Sequence, residues 1–135
     1  MIDLQQQIEE LSALSPDEIN LQRDVAANAF VRLRMSLNRG EIRAAQPDLS
    51  NTSGWSVNAW VKKGILLGFR LGRLVERSVS VHGSEHWNFF DKDTIPLRTF
   101  RVEDNVRIVP GGSSVRDGAY LAPSVIMMPP AACCE

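Results

Sequence analysis

The chain has 135 residues and a nearly balanced charge, with 15 Lys and Arg against 16 Asp and Glu. This length suffices for one main domain plus a fragment of another, and the balanced charge excludes a bulk field that would attract nucleic acid or an anionic membrane. The apolar stretches are too short to span a bilayer, and the first residues lack the basic lead and apolar core of a signal peptide. We therefore expect a cytoplasmic protein with neither nucleic acid nor a membrane as a partner.

Two helices are predicted at the start of the chain. Asp3 caps the first, which ends near Leu14. The Ser-Pro-Asp-Glu sequence at 15–18 is a capping box with proline at the first helical position, and it predicts a long second helix that ends at Gly40. The apolar stripe of this helix consists of Ile19, Ala26, Phe30, Leu33 and Leu37. The arginines of the same helix, which are Arg23, Arg32 and Arg34, are left for its other faces.

A third helix is predicted to begin at Ser56 and to end at Gly72. Gly64 and Gly68 lie one turn apart on its apolar face. Each costs about 1 kcal/mol relative to alanine in a helix. Because a missing side chain lets another part of the protein come close, we interpret both glycines as packing residues.

Extended structure is predicted in two places. Residues 41–49 form a short extended segment that is broken at Pro47. Side-chain character alternates, as it does in paired strands, in residues 74–81 and 86–90. A turn that contains Gly83 and Ser84 lies between these segments, which predicts a β-hairpin.

No metal or bound cofactor is predicted. His82 and His86 are four residues apart in a turn, where the helical spacing of metal ligands does not apply, and no further ligand is near them in the sequence. Cys133 and Cys134 are adjacent, a spacing that suits neither a disulfide framework nor two thiolates on one metal.

The last part of the chain has a period of six. Aliphatic side chains recur at Val109, Val115, Leu121 and Met127, and small or turn residues follow three places later at Gly112, Gly118, Ser124 and Pro130. A period of six matches neither a helix nor a lone strand and is typical of a hexapeptide-repeat, left-handed β-helix, in which three hexads complete one coil. The pattern ends after Met127, so we expect about one coil and a truncated chain.

These patterns together predict an α+β fold with three parts. Residues 1–100 form a mainly helical domain with a hairpin, and residues 101–130 form the incomplete start of a left-handed parallel β-helix. Residues 131–135 form a frayed or foreign tail.

Several segments, taken in order, resemble one family, the tetrahydrodipicolinate N-succinyltransferases of bacterial lysine and diaminopimelate biosynthesis. The segments that carry the resemblance are Trp60–Arg70, Phe90–Lys92 followed by Pro96, Val106–Pro110 and Val115–Ala122. The likeness is good from residue 55 to residue 130 and general in the first two helices.

The resemblance implies a helical N-terminal domain that leads into a left-handed β-helix, and a homotrimer with active sites between neighbouring subunits. It also implies transfer of a succinyl group from succinyl-CoA, the cosubstrate, to the amino group of ring-opened tetrahydrodipicolinate. The amine attacks the thioester directly and needs a base for its proton. No catalytic residue is assigned in this chain, because the family's acidic residue lies beyond its end.

Arg107 matches by position the family arginine that binds the dicarboxylate substrate. A planar guanidinium can hold a carboxylate with two parallel hydrogen bonds. The residue alone favours a solvated arginine before the first coil, and the family match favours the binding role instead. Lys62, Lys63 and Arg116 are weaker candidates for anionic groups, since a lysine pair on an amphipathic helix is usually solvated. For Asp91–Lys92 we expect a turn or a role at the domain junction.

Two other functions stay open on the sequence alone. The chain could be a non-catalytic helical module that associates with an intact succinyltransferase subunit. It could also be a hexapeptide acyltransferase with another acceptor, which the segments at 60–63 and 90–92 argue against.

We expect the purified chain to release no CoA from succinyl-CoA when tetrahydrodipicolinate is present. A single coil leaves apolar side chains and strand edges uncovered, and the family acid is missing. A thiol-coupled assay, with an intact succinyltransferase as the positive control, checks this. Turnover would contradict the expectation, and co-purification of the inactive chain with the intact enzyme would favour the helical module.

Overall fold

The computed structural model describes residues 3–80, 86–130 and 132–133. Its helices are α1 (Leu4–Ala13), α2 (Pro16–Leu21), α3 (Arg23–Asn38) and α4 (Ala59–Leu71), with a short 3₁₀ turn at Val102–Asp104. Helices α1, α3 and α4 pack on one another. The main apolar cluster lies among them, and it includes the whole stripe predicted for the second helix.

The first two helices begin where the sequence predicts. Asp3 occupies the N-cap position of α1 with an extended backbone, but its side chain makes no capping hydrogen bond. At α2 the capping box is present, because the Ser15 N–H donates to Glu18 Oε2 at 2.8 Å and the Glu18 N–H donates to Ser15 Oγ at 3.4 Å. Hydrogen bonds from the Ser15 hydroxyl and backbone lower the pKa of the Glu18 carboxyl.

The single long second helix predicted from the sequence is wrong, since Gln22 divides it into α2 and α3. Gln22 has φ −112° and ψ 23°, a turn conformation outside the α region. Arg23, the first residue of α3, donates to the carbonyl of Leu71 at the end of α4. This hydrogen bond connects the first turn of α3 to the end of α4. The two residues lie far apart in the sequence, so no local sequence pattern predicts the contact.

The predicted start of the third helix is also wrong by three residues. Ser56 lies in a strand, β2 (Trp55–Val57), that pairs in antiparallel register with β1 (Ala45–Pro47). The Asn58 N–H donates to the Ala44 carbonyl at 2.8 Å and extends this ladder, so the helix starts only after it.

Gly64 and Gly68 are packing residues, as predicted. A Cβ atom on Gly64 would lie within 3.0 Å of the Leu33 side chain, and one on Gly68 within 3.0 Å of the Phe30 ring. Real Cβ atoms essentially never come so close. The two glycines therefore set the separation of α3 and α4.

The remaining strands follow α4. They are β3 (Leu74–Glu76), β4 (Val79–Ser80), β5 (His86–Trp87), β6 (Phe90–Lys92), β7 (Arg107–Ile108), β8 (Ser114–Val115), β9 (Ile126–Met127) and β10 (Ala132–Cys133). Antiparallel ladders join β3 to β6 and β4 to β5, which confirms the predicted hairpin in its described strands. Its turn, with His82 and Gly83, lies outside the described residues.

Two ladders of the last segment are parallel. In the first, β7 pairs with β9, with Arg107 opposite Ile126. In the second, β8 pairs with β10, with Val115 opposite Cys133. The chain thus returns alongside itself after 19 or 18 residues, about the length of three hexads. The tail predicted at 131–135 is described at 132–133, where its backbone belongs to the second ladder.

A second apolar cluster lies inside this segment. Val115, Ala119 and Met127 are buried, and the half-buried side chains of Phe100, Ile108 and Leu121 pack against them. Two of the hexad positions, Val115 and Met127, are thus in the cluster's centre, and Leu121 is at its border.

Gly68→Ala is expected to lower the free energy of unfolding by up to about 2 kcal/mol net, since overpacking a core usually costs about 1–3 kcal/mol. The loss outweighs the gain of about 1 kcal/mol in helix propensity, because the buried Phe30 ring has to move. Urea unfolding followed by circular dichroism measures it. The control is Leu66→Ala on the exposed side of α4, which we expect to stay within about 0.5 kcal/mol of the wild type. Equal stability of the two variants would contradict the packing role.

Candidate functional site

Arg107 lies on β7 with an exposed side chain. Its backbone N–H donates to the Val125 carbonyl at 3.0 Å, so the parallel ladder fixes its main chain. Within the described part of the chain, no hydrogen bond or ion pair engages its guanidinium. The guanidinium is thus exposed and makes no contact with the described residues that would fix its orientation.

The start of β7 is held by a contact between two turns. Asn105 and Ser124 both have a positive φ, of 52° and 71°. The Ser124 N–H donates to the Asn105 carbonyl at 2.6 Å, and Asn105 Nδ2 donates to Ser124 Oγ at 3.1 Å. Asn tolerates this left-handed conformation better than most residues do. Arg107 lies two residues after Asn105, whose position is fixed by these hydrogen bonds to Ser124.

Arg116 is engaged within the chain. Its guanidinium forms an ion pair with Asp91 and donates to the Ile95 carbonyl at 3.3 Å. The pair connects β6 to the segment after β8, which is the junction role expected for Asp91–Lys92. Lys92 Nζ also donates to the Gly72 carbonyl at 3.0 Å, at the end of α4.

Asp91 is held in its charged form. Partial burial raises the pKa of its carboxyl, but hydrogen bonds from the Arg116 side chain and the Lys92 backbone lower it more, and the pKa lies below its ordinary value. The charges of Arg116 and Arg77 act in the same direction.

A second polar contact joins α3 to the loop after β8. Asn38 Nδ2 donates to one oxygen of Asp117, and Asn38 Oδ1 accepts the Gly118 N–H at 2.8 Å. Arg34 Nε lies 3.1 Å from the other Asp117 oxygen. The Nε atom is buried and makes no well-aligned hydrogen bond, so this is a contact between charges. We call Arg34, Asn38, Asp117 and Gly118 the α3 clamp.

The backbone next to the α3 clamp requires glycine. Gly118 has φ 119°, which favours glycine. Gly40, with φ 69°, lies under the Tyr120 ring, and a Cβ there would be 3.2 Å from ring atoms. The ring thus packs on the turn that ends α3.

The clamp's partners on α3 are not predictable from the local sequence pattern. That pattern leaves Arg34 to a free face of the helix, but the side chain is only 19% exposed. Asn38 carries no local signal, because its partners lie 79 and 80 residues further along the chain.

The other basic candidates lie elsewhere. Lys62 and Lys63 are exposed on α4, and Lys63 Nζ is 4.0 Å from a Glu9 oxygen. A cavity of about 310 Å³ lies between α1 and the α2–α3 turn, and Arg107 does not line it. The cavity is lined by Gln7, Glu10, Leu11, Leu14, Gln22 and Val25.

Residues 3–80, 86–130 and 132–133 contain no group of three or more metal-ligating His, Cys, Asp or Glu side chains. Within the same ranges, no helix has the length and apolar composition needed to cross a membrane.

Asp91→Asn is expected to lower the free energy of unfolding by about 1–2 kcal/mol at pH 7, since hydrogen bonds to a partly buried charge are lost. The folded pKa is depressed, so this contribution is complete above the unfolded value of about 3.9. It disappears as the pH falls through the folded pKa. Urea unfolding from pH 7 to pH 2.5 measures the difference.

Asp93→Asn is the control, because the amide oxygen can still accept the Arg73 N–H that Asp93 accepts at 2.8 Å. A loss in Asp91→Asn that is equally large at pH 2.5 and at pH 7 would show that charge is not its cause.

The chain is similar to proteins of one family. A family model described as tetrahydrodipicolinate N-succinyltransferase N-terminal matches residues 3–71, which contain all four helices named above. The 2,3,4,5-tetrahydropyridine-2,6-dicarboxylate N-succinyltransferase of Herminiimonas arsenicoxydans is 35% identical over 106 residues, which is 76% of this chain and 36% of the relative.

Two further relatives carry the same name. The Nitrosococcus oceani protein is 42% identical over 99 residues, and the Granulibacter bethesdensis protein is 38% identical over 98 residues. Each comparison covers 68% of this chain and 32% of the relative, so the chain spans about a third of the length of the curated relatives it matches. The chain belongs to the tetrahydrodipicolinate N-succinyltransferase family.

Proposed function

We propose that this chain takes part in the transfer of a succinyl group from succinyl-CoA to the amino group of ring-opened tetrahydrodipicolinate, and that Arg107 binds a carboxylate of that substrate. The observation that supports this best is the guanidinium of Arg107, which is exposed and engages none of the described side chains. It stands on a strand with a fixed backbone in a member of this family. The relatives' names favour a transferase over a non-catalytic helical module.

The chemistry assigned to Arg107 is binding and orientation. Two parallel N–H donors neutralise and align one carboxylate, which brings the substrate amine toward the thioester carbonyl. The amine nitrogen forms a bond to that carbonyl, the carbon–sulfur bond breaks, CoA leaves as the thiolate, and a base takes the proton of the amine. Succinyl-CoA is a cosubstrate in this scheme, and we assign the base to no residue of the chain.

We further propose that residues 101–130 are the first coil of a left-handed β-helix, distinct from a helical unit at 1–100. The return of the chain after 18 or 19 residues supports the coil, as do the inward-facing hexad residues Val115 and Met127. The separate apolar clusters of the two parts support the division. The pairing of 132–133 with β8 suits a second coil stacked on the first.

The active form that goes with this proposal is a cytoplasmic homotrimer with sites between neighbouring subunits. An arginine on the outside of the coil is suited to such a site, because it leaves its guanidinium open to a neighbouring subunit.

A chimera tests the function directly. Residues 3–130 of this chain replace the aligned N-terminal part of the Nitrosococcus oceani relative, and CoA release is measured with both substrates. We expect activity that requires tetrahydrodipicolinate. Arg107→Gln should lower kcat/KM about 10- to 150-fold, because hydrogen bonds to charged groups contribute about 1.5–3 kcal/mol.

The matched control is Arg32→Gln, which removes the same charge from an exposed position on α3 and should leave kcat/KM within about twofold. A folded chimera that releases no CoA would refute the assigned reaction. Equal activity of the two variants would refute the role of Arg107.

A further inference from the structure

The α3 clamp holds one loop of the coil from several sides. Both carboxylate oxygens of Asp117 are engaged, one by Asn38 and the other by Arg34. The Asp117 N–H also donates to the Pro96 carbonyl at 2.8 Å. The Arg34 and Asp117 side chains are 19% and 21% exposed, so water competes little for this contact.

A short packed path leads from the α3 clamp to Arg107. Val115 and Ala119, on either side of the clamp residues, are 3% and 8% exposed and share the coil's apolar cluster with Met127. Ile108 packs against that cluster and pairs with Met127 across the parallel ladder. Ile108 directly follows Arg107. Because the side chains of a packed cluster constrain one another, this path connects the clamped loop to the strand that carries Arg107.

We propose that Asp117 is a positioning residue that acts through the α3 clamp and the apolar cluster to hold Arg107 in the orientation that a dicarboxylate needs. The inference rests on the proposed function of Arg107. Bidentate contacts tolerate errors of only about 0.5 Å and 10–20°, so a loosened loop weakens binding without touching the ligand. The helices therefore contribute to substrate affinity from a distance.

The probe is heptanedioate, the unbranched dicarboxylate with the seven-carbon chain of the ring-opened substrate. Its affinity for the 135-residue chain is measured by calorimetric titration and corrected for the folded fraction from urea unfolding. Asp117→Asn places an amide against the Arg34 and Asn38 donors, and we expect it to weaken binding about 2- to 30-fold. In an Arg107→Gln background the same change should have no further effect.

A charge swap distinguishes positioning from a general loss of structure. Asn38→Asp combined with Asp117→Asn restores the donor–acceptor pair in reverse, and it puts a carboxylate one helical turn from Arg34. The swap should recover most of the lost affinity. The control Asp93→Asn, which is outside the α3 clamp, should leave the affinity within about twofold.

The outcomes separate the two proposals. Two outcomes would overturn the positioning role alone. One is heptanedioate binding that depends on Arg107 but not on Asp117, and the other is an effect of Asp117→Asn on affinity that persists in the Arg107→Gln background. Binding that is absent from the wild type, or unaffected by Arg107→Gln, would overturn the binding role proposed for Arg107 and the positioning role with it, whereas the chimera tests the proposed reaction separately.

Discussion

The arrangement of the molecule depends on helix α3, which contacts the rest of the protein along its side and at its end. Along its side, the glycines of α4 leave room for Phe30 and Leu33. At its end, Arg34 and Asn38 hold the Asp117 carboxylate. The first contact comes from close apolar packing and the second from partly buried charge and hydrogen bonds. Loss of either clamp partner leaves a polar group with poor access to water, which costs more than a lost surface ion pair does.

The segment Val115–Tyr120 illustrates how a distinctive motif can serve the fold. Val115 and Ala119 lie in the second apolar cluster, and Arg116 pairs with Asp91. Asp117 and Gly118 meet α3, and the Tyr120 ring packs on Gly40. Each of these residues makes a contact that docks the segment on the rest of the protein. Arg107 differs from these residues because its guanidinium has no partner among the described residues. The docking contacts and the proposed binding residue thus lie on separate parts of the last segment of the chain.

Local signals predicted the parts of the fold that depend on local physics. The capping box set the start of α2, the three-to-four spacing identified the buried stripe of α3, and the period of six matched the 18- and 19-residue returns of the parallel ladders. The break at Gln22 and the strand at Ser56 were missed. Arg23, directly after the break, contacts Leu71 48 residues further along the chain, whereas Ser56 pairs with Gln46 of the strand before it. The candidate site was predictable only as one residue, Arg107, and only through resemblance to a family.

The sequence by itself determined the buried stripe of the second helical segment, where most helices stop and how far the chain runs before it returns alongside itself. Those features follow from side-chain periodicity, capping and turn chemistry, which act over a few residues. Only the tertiary structure decided that Arg34, Asn38 and Asp117 meet, and that Arg116 is engaged while Arg107 is open to solvent. The physical reason is that the packing of whole helices and strands brings a charged side chain close to its partner. The spacing of residues along the chain does not show which residues that packing brings together.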